Sequence, residues 1–441
     1  MLPLWPNPPL SGTMEPVSGA SSALSGPAVT LLMDRELTTT MLRADADPAT
    51  SAKPAPPLSA AAPLRGSVLV LIQFDVCEEI KLDELRRIFG ARTAEASFKH
   101  QAPGYVRYQR PPVEETLDPL ILDSGERLEG QIKYYDYGVV SLVFELPFSG
   151  DWDKLIQLSC RWTSDSNFEK LASRVVKQKL ERAAPALVKP YSSQDAGGEW
   201  LQEDYFIFHV REIKLPEIKL AEIKPGEIEH APSANDLLAA HGDQIAQVVR
   251  GEMSMLSEGE RQEILQSRIS YYPNDLAVIG WNAAFIYDTD AGAETAIQLL
   301  QYANSQLLEF RHYDELMTKE LENVYDFLEV GGTGLWSRWR TARAASKLHT
   351  VLLDVNELTE RAYNAIKFLS DMFSARLYKL AASKVGVPDY KDLVKEKLQT
   401  AEDLYRFMVD QFNQSRAFIL ELMVVVILII ELVYFFRGKP I

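Results

Sequence analysis

SVLVLIQFDV, residues Ser67–Val76, is the first run in the chain that reads as ordered structure. It is rich in β-formers and long enough for a strand buried within a sheet. Glu78–Phe89 follows as a predicted helix, with Ile80, Leu82, Leu85 and Ile88 forming an apolar stripe. Tyr105–Tyr108, Leu128–Tyr135, Tyr137–Phe148 (YGVVSLVFELPF) and Asp204–Val210 (DYFIFHV) read as strands, with a turn near Asp136–Gly138. Trp152–Trp162, Asn167–Ala184 and Ser233–Arg250 read as helices, the last capped by Ser233 or Asn235. Asp275–Asp288 reads as a buried strand or hairpin. Strands and helices mixed in this way predict an α+β fold, with a mixed-sheet domain over residues 65–290.

Two segments stand apart from that domain. Residues 1–64 are rich in Pro, Ala, Ser and Thr without periodicity, which predicts a disordered extension. Within 211–230, Glu-Ile-Lys recurs at Glu212, Glu217 and Glu222, a period that fits neither helix nor strand. Pro216 and Pro225 exclude a continuous helix, so a solvated linker is expected, with a docking segment as the alternative.

From Ala291 the pattern turns helical. Ala296, Leu300, Ala303, Leu307, Phe310, Met317, Leu321, Val324 and Leu328 fall at alternating four- and three-residue steps, with Asp314 in the skipped position. This predicts a stalk or coiled coil over 291–416 whose seam includes Leu300, Leu307, Phe310, Met317 and Leu321. Asp314 in a seam needs a partner, and Arg311 lies three residues earlier on the same helix face. A catalytic reading of Glu309, Arg311, Tyr313 and Asp314 is the weaker alternative. Further on, Trp336, Arg338, Trp339, Arg340 and Arg343 form a basic-aromatic patch suited to RNA or lipid headgroups, or else core tryptophans beside solvated arginines.

The run Ala417–Phe436 (AFILELMVVVILIIELVYFF) is about 30 Å long as a helix. Its Leu, Ile, Phe and Val residues credit roughly −7 kcal/mol toward bilayer insertion, against roughly +3 kcal/mol for an acid at the centre of the span. Both acids, Glu421 and Glu431, lie off-centre, so a single-pass C-terminal transmembrane helix over 417–436 is expected. Glu421, Val424, Leu428 and Glu431 share one broad face and are the candidate membrane-helix interface. No secretory signal precedes the body, which predicts an inner (cytoplasmic) membrane location with the body in the cytoplasm.

Composition narrows the function. A net charge of −16 over 441 residues argues against a general nucleic-acid surface, so no direct DNA binding is expected. Two cysteines and six scattered histidines suggest neither a disulfide framework nor a metal site. No HExxH, GxSxG, P-loop or dinucleotide fingerprint appears, and no catalytic residue, cofactor or metal is predicted.

The order of parts, together with LLEFRHYDELMTKELENVY (Leu307–Tyr325), KLQTAEDLYRFMVDQFNQSRAFILEL (Lys397–Leu422) and ILIIEL (Ile427–Leu432), resembles the YagE-like family that includes the "required for meiotic nuclear division" proteins. The resemblance implies a non-enzymatic membrane protein that assembles into large complexes and supports translation, with a ribosome-associated partner. The acidic start without Arg-rich character points to a bacterial member.

The expectation is therefore a membrane-anchored scaffold or tether that forms homo-oligomers through its stalk. A channel or transporter subunit with a CorA-like layout is one alternative, and an unrecognised hydrolase or nucleotide-binding enzyme is another.

Overall fold

The computed structural model describes residues 64–90, 110–122, 125–164, 167–191, 200–213, 232–329, 335–364 and 372–438. The 1–64 extension apart from Leu64, the Tyr105–Tyr108 segment and most of the Glu-Ile-Lys repeat lie outside them.

In chain order the elements begin with β1 (Leu64–Asp75), β2 (Cys77–Ile80), α1 (Leu82–Phe89), β3 (Val113–Ile121), β4 (Arg127–Tyr134) and β5 (Val139–Gly150). Then come α2 (Trp152–Trp162), α3 (Asn167–Ala183), β6 (Leu187–Pro190), β7 (Gln202–Ile213), α4 (Ala234–Arg250) and α5 (Glu258–Gln266). A short β8 (Arg268–Ile269) precedes the hairpin of β9 (Leu276–Ile279) and β10 (Ala283–Tyr287). Four helices close the chain: α6 (Asp290–Glu329), α7 (Leu335–Asn364), α8 (Met372–Val385) and α9 (Val387–Phe436).

Strand β1 sits inside an eight-stranded sheet ordered β3-β4-β5-β1-β7-β10-β9-β8. It pairs antiparallel with both β5 and β7, while β7 and β10 run parallel. Successive side chains of a strand point to opposite faces. Val68, Val70, Ile72 and Phe74 therefore enter one core, covered by α1 to α5. Leu69 and Leu71 enter a second core, covered by α6 to α9. Each fully buried Val, Leu or Ile contributes about 1.5–3 kcal/mol, which makes β1 the shared wall of both layers.

Local chemistry places the ends of the elements. Asp151 accepts a hydrogen bond from the Lys154 amide at 2.9 Å and starts α2; Ser233 does the same for Asp236 at 3.2 Å and starts α4. Between β4 and β5 the chain turns through Gly138 at φ 98°. A Cβ there would lie 1.8 Å from the Cys77 carbonyl oxygen. That contact docks the turn on β2, which pairs with β6 where a helix starting at Glu78 was expected.

Two expectations need correction. First, residues 291–416 do not form a separate stalk. Leu300, Leu307, Phe310, Met317 and Leu321 are buried against the chain's own sheet and against α8 and α9. Second, no helix among the described residues is long and apolar enough to cross a membrane. Glu421 and Glu431 leave only Leu422–Ile430 uninterrupted, and Arg437 closes the run, where a bilayer core needs about twenty apolar residues. The transmembrane helix, the tail-anchored reading and the single-pass inner-membrane location fall with that finding.

Gly138→Ala is expected to lose about 2 kcal/mol or more from backbone strain and the carbonyl clash. Gly259→Ala, whose Cβ meets nothing within 4 Å, should stay within about 1 kcal/mol of wild type. Urea unfolding of both variants checks the difference.

Candidate functional site

The face that α6 turns to the sheet carries polar side chains among its apolar ones. Gln301, Asn304, Ser305, Gln306 and Glu309 are each at most 3% exposed. Burial at that level requires partners, since an unpaired polar group costs about 1–3 kcal/mol. Most are found across the interface. Gln73 Nε2 on β1 donates to the Gln301 carbonyl oxygen at 2.9 Å and reaches Ser141 Oγ on β5 at 3.3 Å. The Tyr137 and Ser305 hydroxyls meet at 2.7 Å, and the Tyr378 hydroxyl donates to Gln306 Oε1. Asn304 bonds back to the Leu300 carbonyl at 2.8 Å.

At the far end of β1 this seam becomes ionic. His312 Nδ1 stands 3.0 Å from Asp75 Oδ2, close enough for charge pairing although neither Asp75 oxygen finds an aligned hydrogen-bond donor. The Tyr191 ring stacks on the imidazole, with centroids 4.5 Å apart and planes 19° apart. One turn earlier on α6, Glu309 accepts a hydrogen bond from the Tyr313 hydroxyl, while its other oxygen has none.

Burial pushes the Asp75 carboxyl up, and the nearby imidazolium only partly offsets this. Burial and the Asp75 charge together push Glu309 well above the usual carboxylate range. Burial alone would drive His312 down, but the Asp75 charge outweighs it and the imidazole is raised. Burial and the charge of Asp75 likewise hold the Cys77 thiol up at about 12, so it is not a reactive thiolate. The cluster therefore holds protons in the folded state. Its groups answer one another, which makes it a joint between sheet and helix.

The residues singled out from sequence are distributed differently. Arg311 and Asp314 do not pair. Arg311 forms its ion pair with Glu203 on β7, and Asp314 with Lys397 on α9 at 2.5 Å. Glu309 and Tyr313 do meet, but inside the core. Trp336, Arg338, Trp339 and Arg340 lie on α7 with side chains outside the described residues, and Arg343 is exposed. Glu421, Val424, Leu428 and Glu431 are exposed on α9. Gln73, Asp75, Tyr191 and Glu203 were missed. Gln73 and Asp75 carried a signal, being polar at alternate positions of an otherwise apolar strand.

The distal part of α9 is the other unusual surface. From Leu420 to Phe436 its large apolar side chains are between 45% and 80% exposed, on every side of the helix. The proximal part is anchored, with Val394, Leu398, Ala401 and Met408 buried in the second core.

The family model described as "Uncharacterized protein MJ0711, N-terminal domain" matches residues 65–294, which span the sheet, α1 to α5 and the first turn of α6. Uncharacterized protein MJ0711 of Methanocaldococcus jannaschii is 18% identical over 189 residues, 43% of this chain. The match spans 58% of that relative's length. No solved structure matches the chain.

The proton-holding cluster has a stability signature. Asp75, Glu309 and His312 all have raised folded-state values, so the native chain binds more protons than the unfolded one and stability falls as pH rises. For Glu309 the contribution is complete below its ordinary value of 4.5 and is lost as pH climbs through the higher folded value. Glu309→Gln, which is neutral throughout, is expected to flatten that decline. Urea unfolding across neutral and alkaline pH measures it.

Proposed function

This chain belongs to the MJ0711 N-terminal domain family, and we propose that it is a non-enzymatic scaffold that assembles with copies of itself through the free end of α9. The observation that carries this reading is the apolar segment Leu420–Phe436, exposed on all sides of a helix whose other half is fixed in the core. Apolar surface on this scale marks an interaction site. A helix that is apolar all round needs cover all round. One partner helix covers a single stripe, so a bundle of three or more copies satisfies the segment better than a pair. Closed symmetry makes copies of the same chain the natural partners.

Glu421 and Glu431 fit such a bundle as register devices, because a polar residue in an apolar helix interface selects alignment at a cost in stability. The buried acid–imidazole cluster supports the non-enzymatic reading, since its charged groups are engaged with one another. The resemblance to YagE-like proteins, which implies large complexes linked to translation, agrees with a self-assembling body.

Light scattering on the purified full chain is expected to give a mass of three or more copies. Deletion of residues 417–441 should give a folded monomer. Val424→Lys with Leu428→Lys should do the same, because each unpaired ammonium costs several kcal/mol to bury. A monomeric full chain at micromolar concentration would sink the proposal.

A further inference from the structure

At the β8 end of the sheet, on the face that α6 and α8 cover, lies a cleft of about 400 Å³. That volume is within the range of small-molecule sites, about 300–1,000 Å³. Its floor is apolar, with Ala277 from β9 and Ile286 from β10. Its walls come from the first turns of α6 and α8, and its rim from the loop between β8 and β9. That loop carries Tyr271 and Tyr272, which are 59% and 62% exposed. Phe373 of α8 joins them. Tyr271 meets Tyr272 at 4.7 Å between centroids with planes 84° apart, and Phe373 at 5.0 Å and 67°. Three rings at such angles form a corner, not a flat platform. Exposed rings grouped at one cleft mark a binding surface.

Charge adds a second, separate demand. Asp275 and Asp288 share the cleft with the rings, and its described lining includes no Lys, Arg or His. The two acids have different roles. Asp275 accepts from the Tyr271 amide at 2.8 Å and from the Tyr272 amide at 2.7 Å, which ties the aromatic loop in place. Asp288 uses one oxygen, which accepts from the Thr289 amide at 2.7 Å. Its other oxygen has no partner among the described residues, and the side chain is only half-buried. Burial, and then the Asp275 charge, push the Asp288 carboxyl up, as expected where no cation answers the pair. Gly292 in the first turn of α6 preserves this placement, because a Cβ there would collide with both Asp288 carboxylate oxygens. Glycine is a poor helix former, so its presence in the helix is explained by the carboxylate beside it.

An anion does not fit the cleft. The positive end of α6 is already met by Asp288 and by Thr289 Oγ1, which accepts from the Gly292 amide at 3.2 Å. Aromatic faces attract cations, and the free Asp288 oxygen asks for positive charge. One ligand can answer both. A primary ammonium must also find acceptors for its three N–H groups. Both Asp275 oxygens are in use and the floor is apolar, so a cation without N–H donors loses less on entering. Its methyl groups pack on the rings and on the floor.

We propose that this cleft binds a quaternary ammonium group, held against Tyr271, Tyr272 and Phe373 and neutralised by Asp288. The site goes beyond the scaffold reading and does not depend on α9.

The test is calorimetric titration of the full chain with choline chloride at low salt. Two relatives of that probe are run beside it: ethanolamine, which has a primary ammonium, and tert-butyl ethanol, in which carbon replaces the charged nitrogen. Saturable one-to-one binding of choline is expected, with the other two each at least about tenfold weaker. Tyr272→Leu keeps an apolar side chain at an exposed position and removes the ring; it should weaken choline binding about tenfold. Asp288→Asn keeps an acceptor for the Thr289 amide and removes the charge; it should weaken binding and flatten its salt dependence. Tyr325→Leu, on exposed surface elsewhere on α6, should leave both unchanged. Phosphatidylcholine vesicles added to the choline titration separate two sources of the group. Unchanged choline affinity assigns the free molecule and competition assigns the lipid headgroup, each through this same site. Absence of saturable choline binding, equal affinity for ethanolamine or the neutral alcohol, or wild-type affinity in either Tyr272→Leu or Asp288→Asn would overturn it.

Discussion

From Gly66 onward strand β1 has no residue exposed to water, and the rest of the molecule follows from that constraint. Each side chain of that stretch must satisfy one of two cores. The aliphatic residues do so by packing, and their alternation supports helices on both faces of the sheet. The polar exceptions, Ser67, Gln73 and Asp75, all point to the same layer, the one α6 covers. Their partners come mainly from that helix or from neighbouring strands, because all three are at most 2% exposed.

That requirement accounts for the odd composition of α6. A helix that only filled a core would carry an unbroken apolar stripe. Gln301, Ser305, Glu309 and His312 interrupt it at intervals of about one turn, opposite the polar positions of β1 and β5. Asp75 shows the logic most sharply. A buried carboxylate is tolerated only with a compensating charge or a proton: Asp75 has the His312 imidazole beside it, and Glu309, one turn earlier on α6, is pushed toward its protonated form. The same polar seam, followed back toward the start of α6, reaches a cleft of about 400 Å³ lined by Glu114, Glu129, Glu145, Asp290 and Glu294. Joint and cleft are two ends of one interface, dry at one end and open at the other.

Much of this was legible from local signals. The Trp152–Trp162 helix, the turn near Gly138 and the hairpin within Asp275–Asp288 depend on neighbouring residues alone. What was not legible depends on distant ones. The three-four spacing of Leu300 to Leu321 fits a coiled coil and a helix lying on a sheet equally well, since both need one apolar stripe. Only β1 and β7 on the far side decide between them. Arg311 and Asp314 were close enough to pair along the helix, yet each took a partner more than 80 residues away. A partly buried charge is held better by a fixed partner across an interface than by a flexible neighbour on the same exposed face. The strand β3 was missed because its exposed, charged edge reads as loop, and the cleft went with it.

Helix α9 shows how coverage, more than composition, sets the role of a segment. Its proximal half has one apolar stripe, and Val394, Leu398, Ala401 and Met408 spend it on the core. Its distal half has no stripe to spend, because apolar residues surround the axis. No single surface of this chain could cover them, since any one contact leaves the other sides in water. Glu421 and Glu431 sharpen the point. Asp314, once buried, is answered by Lys397 from the same chain. The two distal acids lie ten residues apart, about 2.8 helical turns, and so sit about 80° apart around the axis, on one broad face. An interface that closes over the apolar surface must leave that face wet or meet it with donors. The acids thus restrict which alignments of neighbouring helices are allowed, while the aliphatic residues around them make some alignment necessary.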